Sequence, residues 1–179
     1  MKRLVGLLAV IGALSGCTAP SGQIQDRAVV TRHYQPCAFD IQEGNGWQWV
    51  AEPATIGIQG QRTNVEEVYY QHDQARMHVV CALKSSAFAP WIQYQLNSLS
   101  YGYDSFVVQS QKDIVFQNEP AHWVLYEGAL KDDGGDKHGY ILFVDRDQEG
   151  LILALSADAD PQHGYSMAFR NAIDAVVLK

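Results

Sequence analysis

Basic side chains are scarce in this sequence, and so are the strings of residues that usually announce chemistry. Lys and Arg together number 13 against 20 Asp and Glu, for a formal net charge of −7 over 179 residues. So few cations cannot form the clusters that neutralise phosphates, which argues against nucleic acid as a partner. The acidic balance serves solubility first, and would suit a basic partner or a divalent cation. No Gly-x-Ser-x-Gly elbow, His-Glu-x-x-His, phosphate-cradling glycine loop or Cys-x-x-Cys is present, and no cofactor motif either. A triad dispersed along the chain would leave no such string, and with six histidines to choose from, naming its members from sequence is arbitrary. Long apolar runs are missing too. The N-terminal run, Leu4 to Leu14, is eleven residues, where a hydrocarbon core needs about 20.

That short run is nonetheless the most specific signal in the chain. Lys2 and Arg3 precede it, and it leads through small residues into Leu14-Ser15-Gly16-Cys17. The pattern resembles the lipobox of bacterial lipoproteins, in which the cysteine is acylated and everything before it is removed. A buried helix would hardly begin Met-Lys-Arg and stop at Ser-Gly-Cys-Thr-Ala-Pro. An ordinary secretory signal would want a small-x-small site, which Ala13-Leu14-Ser15 supplies poorly. The resemblance implies that residues 1–16 are a signal peptide and that Cys17 is the lipidated first residue. Fatty chains anchor it, at about 0.8 kcal/mol per buried methylene. In Gram-negative members an Asp after the cysteine favours the inner membrane. Thr18 therefore implies the outer membrane, with the protein facing the periplasm. Without its leader the chain has 163 residues and a net charge of −9, one domain's worth of sequence.

Lipid on Cys17 leaves Cys37 and Cys81, an even pair in an oxidising compartment, and the expectation is a Cys37–Cys81 disulfide; two buried thiols are the alternative. Residues 17–36 are small and polar and read as a tether, with a single domain over 37–179. Phe39-Asp40-Ile41 and Trp47–Val50 flank Gly44-Asn45-Gly46 and read as a β-hairpin. Short strands are expected over Thr55–Gln59, Val65–Tyr70 and Ala75–Leu83, the last two joined by a turn at His72-Asp73-Gln74. Phe88, Trp91, Ile92, Gln95, Leu96, Leu99 and Tyr103 recur at helical spacing. Ser85 or Ser86 is placed to cap that helix, with Pro90 in its first turn and its end near Tyr101-Gly102. Strands follow over Phe106–Gln109, Ile114–Phe116, His122–Leu130, Tyr140–Asp145 and Leu151–Ser156. A closing helix starts at Asp160-Pro161, with Tyr165, Ala168, Phe169, Ala172, Ile173 and Val176 on its apolar side.

This order predicts an α+β fold in which two main helices cover a curved antiparallel sheet. With the Gly46-Trp47 hairpin, the mid-chain helix, the Tyr140–Ser156 hairpin and the closing Phe169/Ile173 helix, the chain from Phe39 to Val177 resembles the PsbP-like fold, whose bacterial lipoprotein members include DcrB-like proteins. That resemblance implies a sandwich serving as a small adaptor or assembly factor without chemistry of its own.

Three clusters offer themselves as sites. Asp132, Asp133, Asp136 and His138 crowd an expected hairpin tip with cation-type ligands, but match no calcium-loop spacing, and a solvated turn is the plainer reading. His72 and His78 flank Asp73 without a clear third ligand for zinc. Aromatics accompany sixteen glutamines, and an exposed Tyr101-Gly102-Tyr103 corner is the expected contact surface. The leading function is thus a non-enzymatic, lipid-anchored envelope protein that binds or helps assemble other envelope components. A periplasmic binding module for a small ligand, glycan or divalent cation comes second, and an envelope hydrolase third.

Overall fold

Three two-residue turns set the register of most of the large sheet. Asp73 (φ 51°) starts the turn between β4 (Asn64–His72) and β5 (Ala75–Leu83). Gln117 and Asn118 (φ 50° and 72°) join β6 (Tyr103–Phe116) to β7 (Glu119–Leu130). Asp147 (φ 50°) opens the turn between β8 (Asp136–Arg146) and β9 (Glu149–Asp158). Left-handed backbone matches the twist of paired strands, and Asp and Asn adopt it at low cost. A computed structural model of the chain describes residues 30–44, 46–51, 64–131, 135–158 and 166–179. With β3 (Gln48–Val50) the hairpins assemble into a seven-stranded antiparallel sheet of order β3-β4-β5-β9-β8-β7-β6. A second sheet of order β1-β2-β10 holds Val30–Tyr34, Phe39–Glu43 and Val176–Leu178.

Burial on both faces explains why the central strands read as near-continuous apolar runs. On β9, Leu151, Leu153, Leu155 and Ala157 face one core, shared with β2, β10 and Phe169 and Ala172 of α2 (Ser166–Asp174). The alternate residues Ile152 and Ala154 face the other core, under Trp91, Ile92, Leu96 and Leu99 of α1 (Phe88–Ser100). The architecture is the expected α+β sandwich: a two-sided sheet with α1 on one face, and the small sheet with α2 on the other. Close packing of α1 depends on Gly150, where an added Cβ would collide with the Trp91 indole.

Several expectations fail for physical reasons. The Phe39–Val50 hairpin does not form. Gly44 and Trp47 are bridged by a backbone hydrogen bond around Gly46 (φ 89°), but the turn sends its two strands into different sheets. β2 instead pairs with β1 and β10, from opposite ends of the chain. β1 lies in the stretch read as tether, so a paired strand stands ahead of Cys37. The two short strands around residue 110 are one 14-residue strand, β6. Neither Ser85 nor Ser86 caps α1; Ala87 takes the cap position without a side-chain bond. Val176 belongs to β10 and not to the last helix. Thr55–Gln59, Asp160, Pro161 and Tyr165 lie outside the described residues.

Candidate functional site

Antiparallel pairing around the Asp73–Gln74 turn places Tyr69 opposite His78, and Glu67 two residues along on the same face. The His78 ring, 0 % exposed, stacks on Tyr69 with centroids 4.3 Å apart and planes 12° from parallel. Its Nε2 lies 3.2 Å from Glu67 Oε2, which also accepts the Tyr69 hydroxyl at 2.8 Å. Burial pushes the His78 pKa down, against the pull of the Glu67 carboxylate. The Tyr69 hydroxyl is pushed up, by burial and then by Glu67. Further along the same face Ser156 bonds Tyr126, whose hydroxyl lies 3.3 Å from that of Tyr103. Gln95 (1 % exposed) enters the same layer from α1. Its amide, the Trp91 Nε1 and the His78 Nδ1 are buried without a hydrogen-bond partner. A polar seam therefore runs beneath α1 inside an otherwise apolar core.

The outer face of α1 has the opposite character. Tyr94 and Tyr101 are 56 % and 77 % exposed, and seven residues bring them onto one side of the helix. Beside them the Gln93 amide donates to Asn97 Oδ1 at 2.9 Å. Tyr101 is exposed as expected, whereas Tyr103 is 4 % exposed and packs on Tyr126 and Phe106. The expected tyrosine corner is thus half surface and half core: Tyr103 opens β6, whose alternation turns it inward.

The other nominated residues separate. His72 shares its face with Tyr70 and Trp47, opposite to the face of His78, so the two imidazoles cannot share an ion. Asp132 and Asp133 lie outside the described residues. Asp136 opens β8, and the His138 ring meets Phe169 edge-on at 6.0 Å. Cys17 is also outside the described residues. Cys37 and Cys81 are joined by a disulfide between the small sheet's entry and the latter half of β5. Among the described residues, one set of three ligand-type side chains converges, Cys37, Cys81 and Glu149. Its sulfurs are committed to the disulfide and its carboxylate to the Cys37 backbone N–H at 2.9 Å. A polar cleft of about 400 Å³ opens beside it, lined by Glu119, Arg146, Asp147 and Glu149 among others; Arg146 spans Glu119 and the Lys179 carbonyl across it.

Sequence reasoning passed over Glu67 and Tyr69. The signal was available, because a two-residue turn at 73–74 fixes 69 opposite 78.

No protein-family model matches the chain, and no curated protein matches it in sequence. Solved structures do. Cyanobacterial PsbP (CyanoP) from Synechocystis sp. PCC 6803 superposes with a TM-score of 0.61 at 13 % identity, over 92 % of this chain and all of that one. The Ran-binding protein Mog1p of Saccharomyces cerevisiae gives 0.52 at 7 % identity, over 84 % of this chain and 96 % of its own. PA94 of Pseudomonas aeruginosa, a putative regulator of unknown function, gives 0.52 at 13 %, over 84 % and 97 %. Their similarity to this chain is one of fold, and the fold is PsbP-like.

Proposed function

We propose that this chain is a non-enzymatic, lipid-anchored envelope protein, held by Cys17 at the outer membrane, that binds other envelope components. One observation carries the binding half of the reading. One cluster with an acid–base look, His78, Glu67 and Tyr69, is locked together beneath α1, while rigid aromatics stand free on the outer side of the same helix. Chemistry needs a titratable group that substrate can reach; binding needs the exposed aromatics. Use of this fold for protein binding in Mog1p is in keeping with the reading. The anchoring half rests on the Leu14-Ser15-Gly16-Cys17 motif.

In-cell crosslinking of the lipidated protein, followed by purification and mass spectrometry, tests both halves, with Cys17→Ser as control. One dominant envelope partner, weakened in the control, is the expected result. A Cys17→Ser protein that still partitions with membranes would refute the anchor, and the absence of any specific partner would refute the adaptor role.

A further inference from the structure

The nineteen residues from Ser85 to Tyr103 carry no charge, the longest such stretch after the leader in a chain that is 18 % charged. They include all of α1, so the helix presents Pro90, Gln93, Tyr94, Asn97 and Tyr101 to solvent without one ionised side chain. Exposed helix faces are normally where charge collects, and the rest of this molecule is strongly acidic.

The geometry points to this face as a binding platform for a neutral glycan, an inference that takes binding, and not catalysis, from the proposed function. Tyr94 and Tyr101 are two turns apart along one side of the helix, a rise of about 10.5 Å. That is close to the length of one disaccharide repeat in an extended β-1,4-linked chain. The apolar C–H faces of pyranose rings pack on aromatic rings, and their hydroxyls exchange hydrogen bonds with carboxamides. Both partners are present here, since Asn97, its Oδ1 held by the Gln93 amide, lies between the two tyrosines along the helix. The platform is rigid: Trp91, Ile92, Leu96 and Leu99 pin the opposite face into the core. The last turn is tied down by the Lys131 ammonium, which donates to the Tyr101 carbonyl at 2.7 Å. Lys131 lies outside the uncharged run and reaches it only at the helix end. The absence of charge selects against acidic and basic ligands alike and suits a neutral one.

The test is calorimetric titration of the mature chain with a soluble β-1,4-linked tetramer of N-acetylglucosamine, at low and high salt. Binding indifferent to salt is expected, weakened about tenfold or more by Tyr94→Ala or Tyr101→Ala and largely retained in the Tyr→Phe variants, which keep the stacking face. Both tyrosines are exposed, so their far-UV spectra and melting points should match the parent. No binding by the parent, or binding untouched in the double alanine variant, overturns the inference. Loss of a crosslinked protein partner in that variant, without glycan binding by the parent, assigns the face to a protein and overturns the inference while the adaptor reading stands. Glycan binding without any crosslinked partner does the reverse.

Discussion

His78 sits where water does not reach, so its neighbours decide its charge. Enclosed by Tyr69 and bonded to Glu67, it is held neutral, with a pKa below the ordinary histidine value. A group whose pKa is lower folded than unfolded lets the unfolded chain bind more protons as pH falls, so stability declines with acidification from about 6.5, the unfolded value, downward. Urea titrations from pH 7.5 to 5 should show this decline, and His78→Gln should flatten it. Asp40 supplies a separate, more acidic limb. Lys179, and then His33, hold its carboxyl below the usual range, so the stability it contributes is present above about 3.9 and is lost as pH falls further. Lys179→Met should shrink that limb and leave the His78 limb intact. Gln117 acts by geometry alone. From the β6–β7 turn its amide donates to the Val176 carbonyl at 2.6 Å and accepts from the Leu178 N–H at 2.9 Å. It thereby stands in for a strand along the open edge of β10. Gln117→Ala should cost about 0.5–1.5 kcal/mol in chemical denaturation, since water can replace the partner it takes from two backbone groups at this edge. At this scale the sequence was legible where burial follows from alternation, and silent where a side chain answers backbone far away, as Gln117 does.

Among elements, α1 was the easiest to read and the most exacting to pack. Its i, i+4 apolar spacing is intrinsic to a helix, so Trp91, Ile92, Leu96 and Leu99 were visible as its inner face. The glycine that receives Trp91, fifty-nine residues further on, was not. Gly150→Ala should destabilise the protein by about 1–3 kcal/mol and alter the near-ultraviolet dichroism of Trp91, the mark of an overfilled core and not of a weakened strand. Strands were harder. Alternation tells which residues face inward but not which strand lies alongside, so β2 and β3 were read as partners when each had another. β6 was split in the reading because it is an edge: Gln109–Asp113 has no buried face to betray a pattern. Bulges between Tyr103 and Ser105 and between Val108 and Ser110 interrupt its pairing with β7, irregularities that also discourage edge-to-edge association.

For the whole molecule, the disulfide ties the small sheet to the large one across 44 residues of chain. In the chain-entropy account a loop of that length contributes about 4 kcal/mol, so a Cys37→Ala/Cys81→Ala variant should unfold at markedly lower denaturant while keeping the same topology. The pairing was legible as an expectation, since the lipobox resemblance sets Cys17 aside and leaves two cysteines with few alternatives.

The same bond has a mechanical consequence. Among the described residues β1 shares its backbone ladder with β2 alone, with Val30 paired to Glu43 and Tyr34 to Phe39, and side-chain contacts from Tyr34 to Tyr70 and Arg32 to Trp49 add to it. The incoming chain and the exit toward the body therefore lie at the same end of the pair. A pull on the N-terminus loads the hydrogen bonds one after another, like a zipper, and not all together in shear. Five residues peel away under modest force, adding about 3.5 Å of reach apiece, until tension arrives at Cys37. There it passes through the sulfurs into β5, an interior strand of the large sheet. The N-terminal strand is a yielding spring and the disulfide its stop, so on the anchor proposed above the domain would stretch away from its surface without surrendering its core.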